Sequence, residues 1–117
     1  MKRLIFFLIL VVGSARLEAH AFLKDAIPSV GSTVQTSPNE VRIRFTENVE
    51  PAFSSMRVFN ASGKEVDKRD VHLDRTDHAL LRVSLPSLEA GIYKVVWRVV
   101  SVDTHVTSGN FTFRVAR

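Results

Sequence analysis

Nearly every apolar segment beyond the first twenty residues repeats with a period of two. VRIRF (Val41 to Phe45) sets Val, Ile and Phe against Arg42 and Arg44. ALLRVSL (Ala79 to Leu85) alternates in the same way until Pro86. GIYKVVWRVVSVD (Gly91 to Asp103) puts Tyr93, Val95, Trp97 and Val99 on one side, and NFTFRVA (Asn110 to Ala116) aligns Phe111, Phe113 and Val115. Successive strand residues point to opposite faces, so this pattern specifies strands with one face in a core. Val96, Val100 and Val102 make the second face of the long segment partly apolar, which predicts a central strand. SMRVFN (Ser55 to Asn60) reads as a short strand ending in a hairpin-type turn at Gly63. HAFLKDAIPSVGSTV, from His20, supplies one more, ended by Pro28 and Gly31. No stretch sustains a 3.6-residue period, and SLEAG holds one helical turn at most. Six or seven short strands of this kind predict an all-β domain, an Ig-like antiparallel β-sandwich with Greek-key connections.

The first residues are set apart from that domain. Met1-Lys2-Arg3 is a basic start, LIFFLILVV (Leu4 to Val12) is unbroken apolar, and GSARLEA (Gly13 to Ala19) supplies small residues. This is the layout of a secretory signal peptide, and the apolar run is short for spanning a bilayer. The reading is a signal peptide over residues 1–19, cleaved after Ala19, and one domain over residues 20–117. Such a domain has 98 residues, enough to bury roughly two-thirds of its unfolded surface. It carries 13 basic and 11 acidic side chains and no basic run longer than two. The high pI therefore does not point to nucleic acid. The chain has no cysteine, so an exported fold must stand on its core without disulfides, and thiolate is removed from the possible metal ligands.

Within SVDTHVTSGNFTFRV (Ser101 to Val115), Asp103 and His105 stand two apart, before a turn expected at Gly109. In a strand they project together. Alone they are equally a polar strand end. Cleavage after Ala19 adds two further donors, because His20 then offers its α-amine and its Nδ1 in a six-membered chelate, a histidine brace. Three nitrogens and one oxygen suit Cu(II), which favours tetragonal N,O coordination and heads the divalent affinity series. Amine and imidazole shed their protons at modest cost near neutral pH, and binding weakens as protons compete for the same lone pairs. Cu(I) would want clustered Met or Cys; beyond Met1 there is only Met56.

The block GIYKVVWRVVSVDTHVTSGNFTFRV resembles the C-terminal signature of the CopC family of periplasmic copper-binding proteins: a Tyr, a Trp-Arg pair, Ser-x-Asp-x-His, a Gly and a final Phe-x-Val. HAFLKDAIPSVGSTV resembles the family's start, which opens on a ligand His, and RFTENVEPAFSSMRVF its next segment. The resemblance covers nearly all of residues 20–117. It implies a cupredoxin-like β-barrel or sandwich in the periplasm, holding one Cu(II) per chain through His20, Asp103 and His105. It further implies Glu47 as an axial or outer-shell group, and delivery to a CopD-like inner-membrane copper permease. Some members carry a Met-rich loop for Cu(I); the matching region here, Asn60 to His78, has no Met, which implies a single Cu(II) site.

Other polar residues read more plainly. Ser101 and Thr104 are expected to hydrogen-bond locally, and His72 and His78 to be surface groups in a polar segment, Asn60 to His78, that includes exposed turns. Trp97, Phe45, Phe111 and Phe113 are expected in the core, and Arg98 to meet a carboxylate across the sheet. No serine sits in a recognisable catalytic motif, so the chain reads as a carrier and not an enzyme. Two rival readings stand beside this one. One is a histidine-brace copper oxidase like the oxidative polysaccharide monooxygenases, although 98 residues leave little flat substrate face and Asp103 would fill a position that oxygen needs. The other is a metal-free Ig-like interaction module.

Overall fold

The computed structural model describes residues 22–116. Eight strands run in chain order: β1 (Leu23–Ile27), β2 (Thr33–Val34), β3 (Glu40–Phe45), β4 (Ser55–Phe59), β5 (His72–Leu73), β6 (Leu80–Ser84), β7 (Gly91–Val100) and β8 (Val106–Val115). They make two four-stranded sheets, ordered β1-β3-β6-β5 and β2-β8-β7-β4. All pairings are antiparallel except β2 with β8, which is parallel and joins Thr33 to Arg114. The all-β expectation holds.

The alternation read from the sequence decides the core. Val41, Ile43 and Phe45 of the first sheet face Val95, Val99, Phe113 and Val115 of the second, all essentially inaccessible to water. Phe45 meets Trp97 edge-on, with centroids 5.1 Å apart, and Tyr93 stacks on Phe113 at 5.6 Å. β7 is central in its sheet, between β4 and β8. Every strand and every core residue lies within 23–115, so a chain beginning at His20 keeps the whole described fold.

Two sequence expectations are corrected, those for Gly109 and Arg98. Gly109 is not a turn: it lies within β8, directly opposite Trp97. A Cβ there would come within 2.6 Å of the indole, so glycine is required by close approach and β8 begins four residues earlier than the alternation suggested. SLEAG stays within the limit read for it and forms no helical turn; among the described residues the 3-10 turn is Pro51–Phe53, started by its proline. Arg98 is exposed, opposite Ser55 and Ser108, and makes no ion pair among the described residues. The polar segment 60–78 includes exposed turns, as expected. It contributes β5 and Asp67, which is 8% exposed and accepts hydrogen bonds from the Val58 and Arg69 amides at 2.8 and 3.1 Å. Burial raises the pKa of that carboxyl.

The outer face of the first sheet is a charge network. Arg82 bridges Glu40 and Asp74 at 2.9 and 2.6 Å, and Arg44 bridges Asp77 and Asp25 at 3.0 and 3.4 Å. The amides of Thr76 and Asp77 and the Thr76 hydroxyl also donate to Asp74. The Thr76 donors first, then Arg82, lower the Asp74 pKa to about 2. A carboxyl depressed on folding stabilises above its unfolded pKa and loses that contribution as pH falls through the folded value. Thermal unfolding followed from about pH 4 down to about pH 2 should fall more steeply for the wild type than for Asp74→Asn, with equal slopes counting against this role.

Candidate metal centre

Val100 and Val106 form the last rung of the β7–β8 ladder, and Ser101 to His105 close the turn between them. The Ser101 amide donates to the His105 carbonyl at 2.9 Å, and the Thr104 amide to the Ser101 carbonyl at 2.8 Å. Closing so tightly puts Thr104 at φ 71°, an uncommon and strained conformation for a β-branched residue. Asp103 and His105 therefore do not share a strand face, as the i, i+2 argument supposed. They lie in a turn, and the turn brings them together: Asp103 Oδ1 is 3.3 Å from His105 Nδ1. Each side chain is a little under half exposed.

Beneath them lies Ser101, completely buried. Its hydroxyl donates a very short hydrogen bond to Asp103 Oδ1 and accepts one from the His105 amide at 3.3 Å. The Asp103 carboxyl is held below its usual range, chiefly by the Ser101 hydroxyl and next by His105, against a burial effect of opposite sign. The expectation of local hydrogen bonding for Ser101 and Thr104 is met. What the sequence did not reveal is that Ser101 is the post on which both candidate ligands are mounted. Ser-x-Asp-x-His carried the signal, but only burial discloses the role.

Glu47 sits half-buried in the connection after β3. That connection borders the turn: the Val102 amide donates to the Asn48 carbonyl at 3.1 Å, and Val49 bridges Ser101. The connection also holds the start of the described chain. Phe22 donates to Thr46 Oγ1 at 2.9 Å, and the Thr46 amide donates back to the Phe22 carbonyl at 2.9 Å. His78 is exposed beside it, its carbonyl accepting from Val49 at 3.1 Å, while His72 lies on β5. Among the described residues no three acidic or imidazole side chains converge closely enough to hold a metal. Asp103 and His105 are brought together, Glu47 is not grouped with them, and His20 lies outside the described residues.

Fold and site thus define a small two-sheet β domain that presents a carboxylate–imidazole pair on a hairpin turn at one end. The family model described as the CopC domain matches residues 23–116. The chain belongs to the CopC family. The crystal structure of CopC from Methylosinus trichosporium OB3b superposes with a TM-score of 0.78 at 37% identity, covering 83% of this chain and 94% of that one. PcoC, a methionine-rich copper resistance protein from Escherichia coli, superposes at 0.74 with 34% identity, covering 83% and 99%. The copper transport protein CutJ of Bacillus subtilis is 31% identical over 100 residues, 85% of this chain. The chain spans only 18% of CutJ's length. The fold is the cupredoxin-like one of these neighbours, and relatives of this family are copper resistance and transport proteins, not enzymes.

Proposed function

We propose that this protein is an exported copper carrier. Cleaved after Ala19 and released into the periplasm as residues 20–117, it binds one Cu(II) and passes it to a CopD-like permease in the inner membrane. His20 would supply amine and Nδ1, with His105 a third nitrogen, Asp103 an oxygen, and Glu47 an axial or outer-shell group. The observation that carries this reading is the convergence of three segments at one end of the sandwich. The Asp103–His105 turn is bonded to the connection 46–49, and the same connection is bonded to Phe22. His20 precedes Phe22 by two residues, and two residues of extended chain span at most about 7 Å.

The donor chemistry is consistent with Cu(II): an anionic oxygen, imidazole and amine, with no thiolate in the chain and no methionine in residues 60–78. PcoC is methionine-rich by name; this chain is not, which supports a single Cu(II) site. The carrier reading also accounts for a site so open to water, because cargo has to leave as well as enter.

The test is a Cu(II) titration, read by Trp97 quenching and EPR, on the chain beginning at His20 and on one carrying a single extra residue before it. One tightly bound copper with a nitrogen-rich tetragonal spectrum is expected in the first. The second should bind about 100-fold or more weakly, since the extra residue converts the amine ligand to an amide. Equal affinity in the two would remove His20 from the site.

A further inference from the structure

The two sheets treat charge differently on their outer faces. On the first, Arg42, Arg44 and Arg82 are each met by Glu40, Asp25, Asp74 or Asp77. On the second, no aspartate or glutamate occurs in any of the four strands. Its outward positions carry Arg57, Lys94, Arg98 and Arg114. Arg57 reaches Glu65, from beyond the strand, at 3.2 Å; the other three make no ion pair among the described residues.

Along β7 the outward residues read Ile92, Lys94, Val96, Arg98, Val100, cation alternating with aliphatic. This is the second apolar face seen in the sequence. No further layer of the described chain covers it: Ile92 is 49% exposed, and Lys94 and Arg98 are exposed beside it. At the end nearest the candidate metal turn, Val106 and Phe53 are also well exposed, at 50% and 66%.

We propose that this face docks on the surface of an anionic phospholipid membrane. Lys94 and Arg98 stand about 13 Å apart along β7, at four residues' spacing. A fluid plane of phosphates can place a charge under each, whereas an acidic protein would need carboxylates fixed at matching points. Exposed aliphatic and aromatic side chains at the face's ends suit the boundary between headgroups and acyl chains. The contact proposed is a peripheral one, made by side chains of the sheet's outer face. Docked this way, the Asp103–His105 turn is held at the membrane surface, at the end of the same sheet.

The chain beginning at His20, free of copper, is sedimented with vesicles of phosphatidylglycerol and phosphatidylcholine in equal parts, and with phosphatidylcholine alone. Partition is expected onto the anionic vesicles only, at low ionic strength, and should be lost in high salt. Lys94→Glu with Arg98→Glu should reduce it by roughly tenfold or more, each basic residue near an anionic surface contributing separately. Lys24→Glu with Arg75→Glu changes net charge equally at exposed positions on the other sheet's side, and should leave partition within about twofold. Circular dichroism and thermal unfolding of both double variants confirm the fold. Equal losses in the two doubles, binding to phosphatidylcholine alone, or no binding would each overturn the proposal. Capture by poly-glutamate but not by anionic vesicles would assign the face to an acidic protein instead. With no copper present, the result does not depend on how His20 acts.

Discussion

In the chain beginning at His20, His105→Ala should lower Cu(II) affinity by about 100-fold or more, beyond what loss of a supporting partner alone costs. Donor count and mounting together set the size of the loss. The turn offers two side-chain donors, Asp103 and His105, held 3.3 Å apart and both reachable by water. Removing the imidazole leaves one carboxylate there, and a lone carboxylate is a poor partner for Cu(II). Ser101→Ala keeps both donors and removes their mount, because the buried hydroxyl bonds the Asp103 carboxylate and the His105 amide at once. Its expected cost is smaller, about 10- to 100-fold. His72→Ala, on β5, should change nothing. The acid limb separates the two roles. Ser101 holds the Asp103 carboxyl below its ordinary range, so Asp103 stays ionised as pH falls and protonation of the nitrogen donors governs release. In Ser101→Ala that carboxyl returns toward its ordinary value and takes up a proton sooner. The affinity gap from wild type should therefore widen as pH drops toward about 4, where an ordinary aspartate titrates. Isothermal titration across pH measures it; a gap independent of pH would assign Ser101 a packing role only.

The fold was legible because its core obeys one rule. Val41, Ile43, Phe45, Tyr93, Val95, Trp97 and Val99 each fall where the period of two puts them, and each is buried. The rule failed where a single backbone contact overrides it. Gly109 interrupts an alternating run, so it reads as a turn, yet its missing side chain is what lets the Trp97 ring lie across β8. Asp67 was not legible at all: an aspartate in a polar segment gives no sign of burial, and its site exists only because the Val58 and Arg69 amides are turned toward it. At the site, residue types and spacing marked Asp103 and His105, but the geometric reason given for them was the wrong one. Strand pleat does not aim them; a turn built on a buried serine does. That serine could not be told from any other in a one-dimensional reading, because its importance lies in zero exposure and three local hydrogen bonds.

The largest loss of stability is expected from Phe45→Ala, about 3–5 kcal/mol, a large share of the 5–15 kcal/mol that holds a domain of this kind. Phe45 is 1% exposed on β3 and its ring meets the edge of Trp97, so it ties the first sheet to the second beside the candidate metal turn. Gly109→Ala strikes the same indole. The new methyl would lie 2.6 Å from one ring carbon and 3.0 Å from another, and an indole packed against Phe45 has nowhere to retreat. Overpacking of this sort costs about 1–3 kcal/mol. The informative variant is the double. Once Phe45 is truncated, the indole can slide into the vacated space and clear the methyl, so Gly109→Ala should cost less in that background than in the wild type. A coupling of at least about 0.5 kcal/mol is expected for residues that share one neighbour. Denaturant unfolding followed by Trp97 emission gives all four corners of the cycle. Strict additivity would mean that Phe45 and Gly109 do not act through Trp97, and that the two sheets are joined at this end by something other than the indole.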